Sequence, residues 1–183
     1  MNALYLVAIG NVPSNVMDWI EHAATDWYPL PIRRLASMQI PEHAFETTRK
    51  QYQSVEFLKL LARSAPPDAA RILGVTDVDL SIPMLSFLFG QAQLDGPVAV
   101  VSLCRLRQEF YGLPMQEEVL RERTIKEVLH ELGHTFGLVH CGDPKCPMSL
   151  ATHVALVDSK EDRYCARCGI QLVERFSAVE GGV

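Results

Sequence analysis

His130-Glu131-Leu132-Gly133-His134, continued by Thr135-Phe136-Gly137-Leu138-Val139-His140, constrains this chain more than any other segment. Two histidines four residues apart lie one above the other on a helix face, so both imidazoles can reach one zinc ion from the same side. A third ligand has to come from beyond the helix. Gly137 lets the chain leave in a left-handed turn that swings His140 back under the metal. Three protein ligands leave one coordination position open, which separates a catalytic zinc site from a structural one. A water in that position has its pKa lowered toward neutrality. Glu131 is placed to take the water's proton as general base and to return it as an acid to a leaving amine. Since zinc polarises the carbonyl, no serine or cysteine nucleophile is required.

Five cysteines occur, four of them late, as Cys141-x-x-x-x-Cys146 and Cys165-x-x-Cys168, with Cys104 alone. The apolar stretch Met1 to Gly10 lacks the basic lead-in and the cleavage pattern of a signal peptide, so a cytoplasmic protein is expected. Disulfides are rare in that reducing compartment, whereas two close cysteine pairs bring four thiolates around a tetrahedral zinc. No apolar run approaches the roughly 20 residues that span a bilayer. The net charge of −5 is spread along the sequence and offers no footprint for nucleic acid or an anionic membrane. Neither is expected as a partner.

With 183 residues, 48% of them hydrophobic and 21% charged, the chain can bury one well-packed core. The expected order is mixed α/β: a strand at Leu4 to Ile9, a turn with a helix cap at Asn11 to Ser14, and a helix at Val16 to Ala24. A strand at Ile32 to Ile40 and a helix at Ser54 to Arg63, stopped by Pro66-Pro67, follow. Ala70 to Leu80 and Ser86 to Gln91 read as strands. Val98 to Leu103 is a continuous apolar run of the kind buried on both faces, and with the preceding strand it forms a hairpin at the sheet's edge. Gln116 to Leu138 is the helix that carries the histidines, with Arg121 to Lys126 as its solvated face.

These residues resemble a named family. His-Glu-x-x-His-x-x-Gly-x-x-His is the metzincin signature, and the series Cys141, Cys146, Met148, Cys165, Cys168 resembles the archaemetzincins, as do Leu73 to Asp79 and Phe87-x-Phe89-Gly90. The resemblance implies a metallopeptidase with a mixed, mostly parallel twisted sheet, an antiparallel edge strand, backing and active-site helices, and a small zinc-stapled C-terminal lobe. It implies a single catalytic domain, 1–183, divided into a sheet and helix lobe (1–139) and a metal-stapled lobe (140–183). It implies two zinc ions: a catalytic one on His130, His134 and His140, and a structural one on Cys141, Cys146, Cys165 and Cys168. Met148 would be the Met-turn residue beneath the imidazoles, and Leu85 to Gln91 the edge strand that binds extended substrate. Short peptides are the implied substrates, in an aminopeptidase or oligopeptidase mode, by a monomer.

Two other readings stand beside the enzyme: a zinc-binding interaction module or inactive relative, and a zinc ribbon for nucleic acid. Glu131 speaks against the first, because a structural site gains nothing from a base beside an open position. Cancelling charges between Cys141 and Cys168 speak against the second. Cys104 reads as a core thiol, and His22, His43 and His153 lack ligand spacing.

Overall fold

The computed structural model describes residues 2–180. Its first strand, β1 (Ala3–Ile9), is apolar along its whole length because both of its faces are covered. Helix α1 (Ser14–Trp27) and strands β2 (Ile32–Arg34), β3 (Phe45–Glu46) and β4 (Gln51–Gln53) follow, then helix α2 (Ser54–Ser64). Next come β5 (Ala69–Thr76), β6 (Leu80–Ile82), β7 (Leu85–Leu88), β8 (Gly90–Ala92) and β9 (Val98–Ser102). Helices α3 (Glu117–Thr135), α4 (Val154–Ser159) and α5 (Ala166–Glu180) complete the order.

The main sheet has the order β2-β1-β5-β9-β8, parallel throughout except for β8, which runs antiparallel to β9 at the edge. Leu4, Leu6, Leu73, Val75, Ala99 and Val101 pack with Ile20 of α1 and Val128, Leu129 and Leu132 of α3. The opposite face, with Val7, Ile72 and Val100, packs with Phe57 and Leu61 of α2. Each of these buried Val, Leu, Ile and Phe side chains contributes about 1.5–3 kcal/mol of transfer free energy.

A second, four-stranded sheet, β3-β4-β6-β7, was not foreseen. It splits the expected strand Ser86 to Gln91: Leu85–Leu88 pairs with β6 in this sheet, and Gly90–Ala92 pairs with β9 in the main one. The expected strand Ile32 to Ile40 is also shorter. Leu35 and Met38 still donate to the β1 carbonyls of Leu6 and Ala8, but three residues span what two span on β1, so the ladder breaks after Arg34. Helix α1 starts at Ser14 without a side-chain cap, its cap position being Pro13.

The helix of the two histidines is 19 residues long and stops at Thr135. Gly137, at φ +84°, donates to the His134 carbonyl while Leu138 donates to that of Gly133, a Schellman turn. The Arg121 to Lys126 face is only partly solvated. Arg123 and Lys126 are buried because α4 covers them: Arg123 forks onto Asp158 at 2.6 and 2.8 Å, and Lys126 donates to the Asp158 carbonyl.

Candidate metal centres and catalytic cleft

Two turns of α3 and the Schellman turn bring the three histidines together. Ring centroids of His130, His134 and His140 lie 4.6, 5.0 and 5.4 Å apart, and one ring nitrogen of each falls within 4.8 Å of the others. His130 Nδ1 is 2.7 Å from the Pro147 carbonyl oxygen, and His134 Nδ1 is 2.8 Å from that of Leu138. A carbonyl oxygen only accepts, so both Nδ1 atoms carry the proton and both Nε2 atoms present lone pairs. Those lone pairs face each other across 3.1 Å with no proton to share. Two ligands on one tetrahedral zinc stand about 3.3 Å apart, so a cation is what this arrangement fits. Burial holds all three imidazoles below their ordinary pKa, in the neutral form a metal requires.

The four late cysteines form a second donor set, with sulfurs all within 4.8 Å of one another. Cys141 and Cys165 Sγ are 3.8 Å apart, far beyond a disulfide bond and equal to the ~3.8 Å edge of a zinc–thiolate tetrahedron. Burial pushes the Cys141 thiol up, but the Asp143 N–H, the Arg167 guanidinium and the neighbouring thiols outweigh it and bring the thiol to about 7. The two sets adjoin at His140-Cys141. The Cys141 N–H donates to the Met148 carbonyl at 2.8 Å, and Met148, fully buried, sits against Gly133, where a β-carbon would stand 2.4 Å from its sulfur. Tyr164, next to Cys165, donates to the Leu129 carbonyl just ahead of His130.

Glu131 points with the histidines into a cleft of about 410 Å³, walled by Leu85 to Ala92 on one side and Leu150 to Thr152 on the other. A concavity of similar size between α1 and α3, about 430 Å³, lies apart from both donor sets. Burial, and next the carboxylate of Glu127, push the Glu131 carboxyl well above its ordinary range, while Lys160 pulls it down. Glu127, one turn earlier, is closed from solvent and paired with the equally closed Lys160 at 3.2 Å.

The three expected histidines and the four expected cysteines are thus gathered into two donor sets, with Gly137 in the turn that leads to His140 and Met148 packed against Gly133. Cys104 is half-buried elsewhere, its thiol pushed up by burial to about 11. His22 and His153 are exposed outside the cleft lining, and His43 pairs with Glu56. Glu127 and Lys160 were missed. The signal for Glu127 was its place at i−3 and i−4 from His130 and Glu131, on the same helix face; nothing local marks Lys160.

Comparison with known proteins agrees with this geometry. The family described as Peptidase family M54 matches residues 9–175. Archaemetzincin of Methanocaldococcus jannaschii is 43% identical over 91% of this chain and 90% of its own. The crystal structure of archaemetzincin from Methanopyrus kandleri superposes with a TM-score of 0.85 at 35% identity, covering 96% of each chain. That of a zinc-dependent peptidase from Methanocorpusculum labreanum gives 0.81 at 30% identity, over 93% of this chain and 100% of that one. The fold, the two donor sets and these relatives converge: the chain belongs to peptidase family M54, the archaemetzincins, and is a zinc-dependent metallopeptidase.

Proposed function

We propose that Glu131 is the general base and acid of peptide-bond hydrolysis in this cleft. His130, His134 and His140 hold the catalytic zinc, and Cys141, Cys146, Cys165 and Cys168 the structural one. The observation that carries this is the pair of Nε2 lone pairs facing each other at 3.1 Å beside a buried carboxylate in an open cleft. When bound, zinc supplies a Lewis acid for the attacking water and the scissile carbonyl. Glu131 takes the water's proton and returns it to the leaving nitrogen, so the residue that departs lies on the Glu131 side of the cut. Glu127 is paired with Lys160, which leaves Glu131 as the free carboxylate among the described residues that line the cleft.

The substrate backbone pairs with β8. Ladder bonds at Phe89–Ser102 and Gln93–Val98 make Gly90 and Ala92 the residues whose N–H and C=O groups point away from β9, open to an added strand. A cleft of about 410 Å³ suits short peptides, in an aminopeptidase or oligopeptidase mode. We read the chain as one catalytic domain whose part from residue 140 onward is stapled by metal, acting as a monomer without nucleic acid. Four free thiols gathered at one site suit a reducing compartment such as the cytoplasm, and no described helix is long and apolar enough to cross a membrane.

Elemental analysis of wild type and His134→Ala, with a peptide library assayed on wild type and Glu131→Ala, tests the proposal. The expected result is about two zinc ions per chain falling to about one, with cleavage lost in Glu131→Ala. Cleavage that survives Glu131→Ala overturns the assignment of the base, and unchanged zinc in His134→Ala overturns that of the ligands.

A further inference from the structure

The wall of the cleft formed by β7 hangs on a polar network that the catalytic chemistry does not use. Arg49, in the turn between β3 and β4, reaches across to the β6–β7 hairpin. Its guanidinium donates to the Ile82 carbonyl at 2.9 Å and to the Leu85 carbonyl, one on each side of the hairpin tip, and to Gln51 Oε1 at 3.0 Å. Buried Gln51 donates in turn to the Ser86 carbonyl at 2.9 Å and to Asp79 at 2.8 Å. Asp79 accepts both prongs of Arg105 at 2.7 and 2.8 Å. The Arg105 guanidinium then lies over the rings of Phe87 and Phe110, 4.2 and 4.6 Å from their centroids.

Three consecutive residues of β7, Leu85, Ser86 and Phe87, are thus each held from behind by one member of this chain, and all three line the cleft. The hairpin's first strand, β6, is also paired with β4, at Tyr52–Leu80 and Gln53–Ser81, whereas β7 is the outer strand of that sheet. The two strands of the hairpin share the pairs Leu80–Leu88 and Ile82–Leu85 with an irregularity between them, and its tip residue Met84 is 89% exposed. A two-strand pairing this short is marginal by itself, so the side chains that reach β7 add to what fixes its place. We propose that Arg49 and Arg105 are positioning residues for substrate: through Gln51 and Asp79 they fix β7, and with it the start of β8, so that the edge offered to a peptide is rigid before the peptide arrives. Ordering that edge in advance removes a cost that binding otherwise carries.

This inference rests on the peptidase reading, and equilibrium binding separates the two. Zinc-loaded wild type, Arg49→Ala and Arg49→Lys are titrated calorimetrically with acetohydroxamate, which reaches only the metal, and with a tetrapeptide hydroxamate, which also lies along β7 and β8. The expected result is equal affinity of all three proteins for acetohydroxamate. For the tetrapeptide compound, Arg49→Ala should lose about tenfold, with Arg49→Lys between, because an ammonium cannot fork to two carbonyls. Methylguanidinium at millimolar concentration should restore part of the loss in Arg49→Ala. Equal weakening of both ligands, an unchanged tetrapeptide affinity, or a wild type that binds the tetrapeptide compound no better than acetohydroxamate overturns the proposal. The expected binding pattern in a wild type that cleaves no peptide overturns the peptidase reading alone.

Discussion

Gly90 and Glu131 are in contact through space that only a glycine leaves open. A β-carbon on Gly90 would stand 2.6 Å from Glu131 Cγ, 2.7 Å from Glu131 Oε1 and 2.8 Å from the Val100 carbonyl oxygen. The edge strand and the helix that carries the histidines therefore approach closely enough for the carboxylate to lie against the backbone of β8. Gly90→Ala is expected to push Glu131 off its position and to lower kcat about 10- to 100-fold, since displacements near 1 Å have that effect. Overpacking should cost about 1–3 kcal/mol of stability. Zinc content should stay at the wild-type value, so activity and elemental analysis together check the prediction.

Glu131 itself burdens the metal-free fold. Burial, then Glu127, raises its carboxyl well above the ordinary range. For a raised acid, the stability it contributes is complete below the unfolded pKa near 4.3 and is lost as pH rises through the folded value. Glu131→Gln removes that loss. Metal-free Glu131→Gln is expected to melt above metal-free wild type at pH 8, by at least about 3 °C, and the gap should shrink toward pH 5. The depressed histidines act in the opposite sense, losing stability as pH falls from about 6.5, but both proteins carry them and they cancel in the difference. Cleavage by the zinc-loaded variant should fall about 10²- to 10⁴-fold. A gap that widens toward acid pH would show that the buried carboxylate is not the cause.

What sequence made legible here was what local spacing controls. The histidines, Glu131 and Gly137 occupy one helix and its exit turn, so a count of residues fixes their relative directions. The strands β1 and β9 show as apolar runs because both of their faces are covered. The second sheet had no such mark: its strands are two to four residues long and pair across the chain, as Tyr52 does with Leu80. Arg123 and Lys126 read as solvent-facing because α4, which buries them, comes some thirty residues later. Lys160 lies 33 residues from Glu127, and no periodicity joins them.

That Glu127–Lys160 pair yields a third expectation. Both side chains are closed to solvent, so removing one partner strands the other's charge. Lys160→Met is expected to destabilise the protein by about 3–5 kcal/mol. In the double variant Glu127→Gln/Lys160→Met no charge is stranded, and most of that loss should return. Denaturant unfolding of the two single variants and the double variant measures the coupling. Additive losses would mean that the pair does not act as a unit.

The thiols of Cys141 and Cys104 should separate by reactivity in metal-free protein. Cys141 is at about 7, with Arg167 Nη2 3.2 Å from its sulfur, whereas burial holds Cys104 at about 11. Thiolate is the reacting species, so iodoacetamide at pH 7.5 should label Cys141 well before Cys104. Zinc should protect Cys141 and leave Cys104 unaffected, with peptide mass mapping as the readout. Equal labelling of both would contradict the assigned environments.

The junction of the two metal sites leads to the last prediction. His140 and Cys141 are consecutive, and the Cys141 N–H is bonded to the carbonyl of Met148, whose sulfur packs on Gly133 between His130 and His134. The backbone that delivers the third imidazole is therefore fixed at its far side by the cysteine set. Unlike His130 and His134, whose rings are oriented by carbonyls, His140 is exposed and has no hydrogen-bond partner among the described residues. Cys168→Ser is accordingly expected to lose the structural zinc and also to weaken the catalytic one, by about 10- to 100-fold, the usual effect of removing support from behind a metal ligand. Competition with a chelator measures each affinity. The weakening should be absent for a ligand that reports only the pair His130 and His134, so His140→Ala and the double variant His140→Ala/Cys168→Ser should bind zinc at the histidine site equally. If the double variant is weaker than His140→Ala, the cysteine lobe supports the helix itself, through Tyr164 and the Leu129 carbonyl, and not only the strand of chain that carries His140.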